Sequence, residues 1–209
     1  CGLYWHSDIH PRMDKKYHLK KLEMCQKQNI RLITIYEDEW LNNRTIVERK
    51  LLHILKLNTE QKVFARKCNV LLIDDCKEFF NKFHLQGNGI ASINIGLEFD
   101  SELVACMSFK KINSKIYEIN RYATSCNVIG GFSKILNSFK KIYDWDKIIT
   151  FADLRWHDGA VYLKNGFQID KFVYPDYQYI VNKTRVHKFN FRKKYIQKRF
   201  PDSYDNTLT

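Results

Sequence analysis

The sequence predicts an α/β fold, because segments with strand character and segments with helical periodicity alternate along the chain. Runs rich in β-branched residues, such as IRLITIYE (30–37) and KIITFA (147–152), predict strands. MDKKYHLKKLEMCQKQ (13–28) spaces its apolar residues along one face between lysines, which predicts a helix. The 209 residues, 44% of them hydrophobic, are enough for one domain or two small ones with a buried core.

The first part of the chain predicts the order strand, helix, strand, helix. Residues 1–5 predict a strand, 13–28 a helix, 30–37 a strand and 38–57 a helix, with Thr45 as a cap within the last. This βαβα order implies parallel neighbouring strands joined by a right-handed crossover.

The pattern breaks at 57–62, where we place a domain boundary, and the second part then predicts a mixed sheet with helices. Residues 62–73 read as extended, and 74–84 as a short helix with acidic residues in its first turn. A hairpin of 89–99 and 102–111 follows. The later elements are a strand at 115–123, a helix at about 130–142, a strand at 147–152, a short helix at about 157–165 and final strands within 166–182.

The charge balance favours a polyanionic partner. The formal net charge is +12, which suits nucleic acid first and an anionic membrane surface second. No run is long enough to cross a bilayer. The six cysteines are dispersed without a CxxC pair, which argues against a zinc ribbon and favours reduced thiols in a cytoplasm-like compartment.

Three side chains near the N-terminus favour a small polar site. His6 follows the first predicted strand, while Asp14 and His18 lie four residues apart on one face of the next helix. Imidazoles and a carboxylate can bind a divalent ion, or an imidazole can act as acid or base in phosphodiester cleavage. The alternative is that all three are ordinary surface groups.

GLYWHS (2–7), the helix with YHLKKLEMCQKQNI (17–30) and the strand RLITIYEDEW (31–40) resemble the C-terminal half of a Vsr-like nuclease domain. This branch of the PD-(D/E)xK fold is used by bacteriophage homing endonucleases with an EDxHD motif. The resemblance implies DNA hydrolysis with Mg²⁺ or Mn²⁺, with His6 as an acid/base or metal-water group. It places the last acidic position of the motif on Asp14, with His18 as its neighbour, and Asp8 is the alternative for this position. The other acidic positions of the motif are expected before Cys1. Glu37 and Glu39 are interpreted as structural.

A glycine pair precedes the predicted helix at 130–142. Gly130 and Gly131 stand between a strand and the helix start, and Ser133 follows in the first turn. Backbone N–H groups in such a turn can meet a phosphate or pyrophosphate. The alternative is a tight turn that needs a positive φ.

The order hairpin, strand, glycine turn, helix, strand and AVYLKNGF (160–167) resembles the GNAT acyltransferase superfamily over about 64–182. Tyr162, Gly166 and Phe167 match its Y-x-x-x-G-F pattern. The resemblance implies a GNAT-like mixed-sheet α/β domain and acyl-CoA as a cofactor held by Gly130, Gly131 and Ser133. Phe132 stands where the family's loop has a small residue, so we expect it to crowd the loop and oppose tight acyl-CoA binding.

NRYATSCNVIGG (120–131) and FADLRWHDGAVYLKNGF (151–167) also resemble the C-terminal region of the same phage endonucleases, whose fold type DNA-modifying Mom-like proteins share. Within these segments, Arg121 and Tyr122 are either strand residues or the lining of a pocket beside the glycine turn. His84 and Gln86 are interpreted as closing a helix rather than as catalytic groups.

The segment 183–199 holds eight basic residues and no acidic one, interleaved with aromatic residues. If the segment is helical, Val186, Phe189, Lys193 and Ile196 share one stripe and the other basic side chains stay outside. Such a surface can follow the phosphates of DNA, the alternative being a solvated charged helix. The predicted nucleic-acid-binding residues are Arg185, Lys188, Arg192, Lys193, Lys194, Lys198 and Arg199.

The sequence therefore predicts part of a homing-endonuclease-like protein that acts on double-stranded DNA in a bacterial or phage-infected cytoplasm. Residues 1–57 would be the C-terminal half of a Vsr-like nuclease domain, 63–182 a GNAT-like domain and 183–209 a basic tail. Two alternatives remain: an acyl-CoA-dependent N-acyltransferase or Mom-like modifying enzyme, and a non-catalytic DNA-binding protein.

Overall fold

The computed structural model describes residues 2–4, 7, 16–174 and 176–199. The helices are α1 (Tyr17–Lys27), α2 (Glu37–Asn42), α3 (Arg44–Ile54), α4 (Lys77–Phe83), α5 (Gly131–Ile142), α6 (Ala160–Leu163) and α7 (Lys193–Arg199), with 3-10 turns at Ala65–Lys67 and Lys188–Phe191. The strands are β1 (Lys62–Phe64), β2 (Asn69–Leu72), β3 (Ile93–Phe99), β4 (Glu102–Lys111), β5 (Ile116–Thr124), β6 (Asn127–Ile129), β7 (Lys147–Thr150), β8 (Gln178–Val181) and β9 (Thr184–His187). The mixed α/β class predicted from the sequence is confirmed.

Residues 43–168 form one compact unit. Its sheet has the order β2-β3-β4-β5-β7 among the described residues, antiparallel from β2 to β5, with β7 parallel to β5. The predicted hairpin is confirmed as β3 and β4. A parallel pair needs a crossover, and here the connection from β5 to β7 runs through α5. One extra residue in β5, Asn120, makes a bulge opposite Ser108 and Phe109 of β4.

Helices cover both faces of this sheet. Alternate β4 residues, including Met107 and Phe109, join the apolar face of α5, and the rings of Phe109 and Phe139 stack with centroids 3.9 Å apart. The intervening residues face α4, where Cys106 packs with Phe80. The two faces follow from the period of two along a strand.

The second unit consists of the described residues of 1–42 and 169–209. It contains α1, α2, the β8–β9 hairpin and α7. Asn182 and Lys183 form the two-residue turn of the hairpin with φ of 49° and 59°. Such left-handed pairs match the twist of a two-stranded ribbon, and Asn tolerates them well.

The predicted βαβα arrangement is wrong for the described residues. Residues 30–36 are in no strand, and Leu3 and Tyr4 lie in a turn in which the Ser7 N–H donates to the Tyr4 carbonyl at 3.3 Å. Cys1 and Trp5 of the predicted first strand lie outside the described residues. A β-branched composition suits a strand only where a second backbone pairs with it.

The two compact units do not coincide with the predicted domain ranges. Helix α3 belongs to the unit with the sheet, where Arg49 bonds Glu60 and the Thr124 carbonyl of β5. Residues 169–182 belong to the other unit, where β8 pairs with β9. The strands predicted within 166–182 are confirmed only at β8, and β9 forms inside the predicted tail.

The cysteines that the structure describes are free thiols: Cys25, Cys68, Cys76, Cys106 and Cys126. The Sγ atoms of Cys76 and Cys106 lie 2.7 Å apart in the core beside α4. Among the described residues, no helix has the length and apolar character needed to span a membrane.

Candidate functional site

The N-terminal constellation is described only at His18. His6 and Asp14, like the alternative Asp8, lie outside the described residues. His18 is half-buried on α1, and its ring centroid lies 5.4 Å from that of Tyr17 and 6.1 Å from that of Tyr36. In the described part of the chain, no group of three or more His, Cys, Asp or Glu residues could hold a metal ion.

The carboxylates at the start of α2 have structural contacts, as predicted for Glu37 and Glu39. Glu37 Oε2 accepts a hydrogen bond from the Leu3 N–H at 2.8 Å, and Glu39 Oε2 accepts one from the Tyr36 N–H at 3.1 Å. The second contact satisfies a backbone donor that precedes the helix, as in a capping box.

Arg185 of β9 lies against the same helix and is not on the outside, where the helical projection put it. Its Nε is 2.9 Å from Asp38 Oδ1, and its Nη2 is 2.8 Å from Glu39 Oε1. The guanidinium carbon also lies 3.7 Å from the centroid of the Tyr36 ring. Both carboxylates are buried, so Arg185 neutralises charge within the unit. Nothing in the local sequence around Arg185 indicates partners so distant along the chain.

Other predicted nucleic-acid-binding residues are more accessible. Arg192, Lys193 and Lys198 are exposed, so Lys193 does not join a packed stripe. Lys188 is half-buried, and its Nζ lies 2.7 Å from Asp176 Oδ2. This pairing and the nearby backbone N–H of Tyr177 hold the pKa of Asp176 below its usual range. Lys194 and Arg199 lie on α7, and their side chains are outside the described part of the structure.

The aromatic ring of Phe189 contacts the basic side chain of Arg192. The guanidinium carbon of Arg192 stands 3.7 Å from the centroid of the Phe189 ring, and Phe189 itself is 48% exposed. The His187 ring tilts against Phe189 at 4.6 Å, and His187 Nδ1 accepts a hydrogen bond from the Phe189 N–H at 3.2 Å. The segment is thus a strand, a 3-10 turn and a short helix rather than one helix.

The glycine turn lies in the other unit, between β6 and α5. Gly130 has φ of +78°, so its conformation alone favours glycine. At Gly131 the restriction is space: a Cβ atom would lie 2.7 Å from the hydroxyl oxygen of Tyr122 and 2.9 Å from a methyl carbon of Val128. Ser133 is half-buried one residue beyond Phe132 in the first turn of α5.

Phe132 does not occupy the outside of this turn. It is 5% exposed and packs edge-on against Tyr122 and Tyr162, with centroid distances of 5.2 and 5.5 Å. The Phe132 N–H donates to the Tyr122 hydroxyl, and burial raises the pKa of that hydroxyl above its ordinary value. The expected crowding of the loop by Phe132 is therefore wrong, because the ring is part of the core.

His84 closes α4, as predicted. It follows the last helical residue, and its Nδ1 accepts a hydrogen bond from the Gln86 N–H at 3.2 Å. Its electrostatic surroundings could not be predicted from the local sequence. Burial, with the charges of Arg121, Lys50 and His157, lowers the pKa of His84 to about 3. Arg121 lies on this side of the sheet, whereas Tyr122 lies at the glycine turn.

Comparisons of the chain with protein-family models, with curated proteins and with solved structures find no match.

Proposed function

We propose that this protein binds double-stranded DNA through the basic segment, residues 183–199. The observation that carries the proposal is that the exposed cations Arg192, Lys193 and Lys198 follow a β-ribbon on one continuous stretch without acidic residues. Such a stretch places positive charges where they can displace counterions from DNA phosphates.

The backbone geometry of this segment supports the same function. The β8–β9 hairpin is a two-stranded antiparallel ribbon, and Lys183 lies in its turn. Gln178 pairs with His187 at the open end of the ribbon, and Val181 pairs with Thr184 next to the turn. A two-stranded ribbon has the width that the DNA major groove admits. Lys183 at the tip and Arg192 beyond the ribbon can then contact phosphates on either side of a groove.

The contact between Arg192 and Phe189 adds to this surface. The ring holds the guanidinium in one orientation through a cation–π contact, which reduces the side-chain entropy lost on binding a phosphate. Arginine presents paired N–H donors that match two phosphate oxygens. Arg185 is assigned no such role, because two carboxylates hold its guanidinium.

The proposed reaction is hydrolysis of DNA phosphodiesters, and its support is the sequence resemblance to Vsr-like homing endonucleases. In that proposal His6, Asp14 and His18 belong to the reaction centre. A divalent metal ion in such a nuclease supplies a Lewis acid to the scissile phosphate. DNA binding by the basic segment does not depend on this assignment.

A salt series of fluorescence anisotropy on labelled duplex DNA tests the binding. The logarithm of the affinity should fall against log salt with a slope of about −4 to −5, which corresponds to roughly four to six phosphate contacts. The triple variant R192Q/K193Q/K198Q should flatten this slope by about three. The control K21Q/K27Q/K171Q removes three exposed charges from the same unit and should change the slope much less. Equal flattening by both variants would contradict the proposal.

A second candidate function is acyl-CoA binding at Gly130, Gly131 and Ser133. The specific observation in its favour is that Phe132 packs into the core, which leaves the glycine turn without the bulky side chain expected there. The other support for acyl-CoA binding is the sequence resemblance to GNAT acyltransferases. Calorimetry with acetyl-CoA tests it: micromolar binding that is lost in Gly130→Val would support the candidate, and an absence of heat would remove it.

A further inference from the structure

Exposed aromatic rings lie next to cations of the basic segment on and beside the β8–β9 hairpin. Tyr177 and Tyr179 are 61% and 43% exposed, and Phe189 is 48% exposed. With the half-buried Phe191 and the side chains of Lys188 and Arg192, we call these residues the aromatic surface. A single exposed ring is common on proteins, whereas a contiguous group indicates a surface that another molecule covers.

Ring contacts connect the first part of this surface. The centroid of the Tyr179 ring lies 5.7 Å from that of Tyr177 and 4.4 Å from that of Phe191. Tyr177 directly precedes β8 and Tyr179 is the second residue of that strand. Side chains two positions apart in extended chain point to the same face, so both tyrosines lie on one side of the ribbon.

Two cations extend the surface from the tyrosines to Phe189. Lys188 Nζ lies 5.1 Å from the centroid of the Tyr177 ring and 5.9 Å from that of the Phe189 ring. Lys188 is also paired with Asp176, so the positive charge at this end of the surface comes chiefly from the exposed Arg192, whose guanidinium lies over Phe189. Aromatic rings and basic side chains therefore alternate across the aromatic surface.

This alternation matches the chemistry of unpaired nucleotides. In a duplex each base is stacked on its neighbours, whereas an unpaired base has a free face that can stack on a protein ring. Each nucleotide also carries a phosphate, which a neighbouring lysine or arginine can contact. An apolar protein partner would cover the rings but would leave the cations without counter-charge, and the segment 183–199 holds eight basic residues and no acidic one. Charge complementarity thus favours a polyanion with exposed bases.

We propose that the aromatic surface binds unpaired bases of DNA, as in a single-stranded stretch, by stacking them on Tyr177, Tyr179 and Phe189. This inference rests on the proposed binding of DNA by the basic segment, and it adds the structural state of the DNA that the same segment prefers. Arg192 then has two partners, the Phe189 ring and a phosphate next to the stacked base.

Fluorescence anisotropy with two labelled oligonucleotides of equal length tests this proposal on the full chain. One is oligothymidylate, and the other is an abasic strand with the same phosphates and no bases. Because the phosphate contribution is common to both, the ratio of their affinities measures stacking alone. Oligothymidylate should bind about tenfold or more tightly than the abasic strand.

Tyr177→Leu and Phe189→Leu keep an apolar side chain but remove the ring, and each should lower this ratio about fivefold. The matched control is Phe151→Leu, which removes a 62% exposed ring from the other compact unit and should leave the ratio unchanged. R192Q/K193Q/K198Q should weaken the binding of both strands and largely preserve the ratio, since it removes phosphate contacts and keeps the rings.

Blunt duplex DNA in the same assay separates this inference from the proposed function. Salt-dependent duplex binding with equal affinity for the two single strands would overturn the inference and leave the proposed function standing. A preference for oligothymidylate without any duplex binding would do the reverse. An equal loss of the ratio in Phe151→Leu would also overturn the inference. Sedimentation velocity tests the other occupant: self-association that Tyr177→Leu abolishes would assign the surface to a second copy of the chain and overturn it.

Discussion

Arg185 and Asp38 form a two-point contact between β9 and α2. The guanidinium Nε lies 2.9 Å from Asp38 Oδ1, and the Arg185 backbone N–H donates to Asp38 Oδ2 at 3.0 Å. The two residues are 147 positions apart in the chain, yet they belong to the same compact unit. Because the Asp38 carboxylate is buried, loss of Arg185 would leave it without its main counter-charge.

We expect Arg185→Met to destabilise this unit by about 3 kcal/mol, the scale of breaking a buried ion pair by removing one partner. Hydrogen exchange of the amides of Thr184–His187 measures the effect locally. Arg192→Met is the control, since the Arg192 side chain is exposed and its guanidinium lies over the Phe189 ring; it should cost less than about 1 kcal/mol. Similar exchange rates in both variants would contradict the assigned role of Arg185.

Arg185 and Lys193 should also differ in their effect on DNA binding. Arg185→Gln and Lys193→Gln each remove one positive charge, so the net charge is matched. Because Lys193 is exposed and Arg185 is held by two carboxylates, only Lys193→Gln should flatten the salt dependence, by about 0.9. The anisotropy series is measured under conditions where both variants are folded. A larger effect of Arg185→Gln would show that its guanidinium contacts DNA.

The predictions from sequence succeeded where local pattern and pairing agree. Strands β3 and β4 have alternating apolar residues and are joined by a short turn. Each strand therefore finds its hydrogen-bond partner in the strand next to it in the sequence. Residues 30–36 have the same β-branched character, but no backbone pairs with them in a strand. Composition indicates how well a segment suits a strand, but whether another strand is available to pair with it depends on the whole fold.

The candidate sites show the same distinction. The exposed lysines of the basic segment could be predicted from the run of basic residues in the sequence. The burial of Arg185 could not, because it depends on carboxylates that are far away in the sequence. The sequence shows that Phe132 is bulky but not which way its side chain points. Its contacts with Tyr122 and Tyr162 show that the ring points into the core. Likewise, the end of α4 at His84 is a local property, while the charges around it come from three other segments.

Gly131→Ala should destabilise the unit with the sheet by about 1–3 kcal/mol, because the new Cβ would overlap the Tyr122 hydroxyl oxygen and Val128. Thermal unfolding measures the loss. In the Tyr122→Phe background the same change should cost less, since the oxygen at 2.7 Å is gone. Gly159→Ala is a useful comparison: its φ is +81° and a Cβ there meets nothing within 4 Å, so only backbone strain of about 1 kcal/mol is expected. An unchanged cost in both backgrounds would show that Tyr122 yields without strain.

His84 should make the stability of the protein depend on pH. Its pKa is lowered to about 3 in the folded protein by burial, Arg121 of β5, Lys50 of α3 and His157 beyond β7, whereas an unfolded histidine titrates near about 6.5. Between these values the unfolded chain binds more protons, so the contribution is present above about pH 6.5 and is lost as the pH falls towards 3. Wild type should therefore lose up to about 1.4 kcal/mol per pH unit relative to His84→Asn over this window. Urea unfolding of both proteins at a series of pH values gives the difference directly, and the carboxylates common to both cancel. Parallel curves would mean that His84 keeps an ordinary pKa in the folded protein.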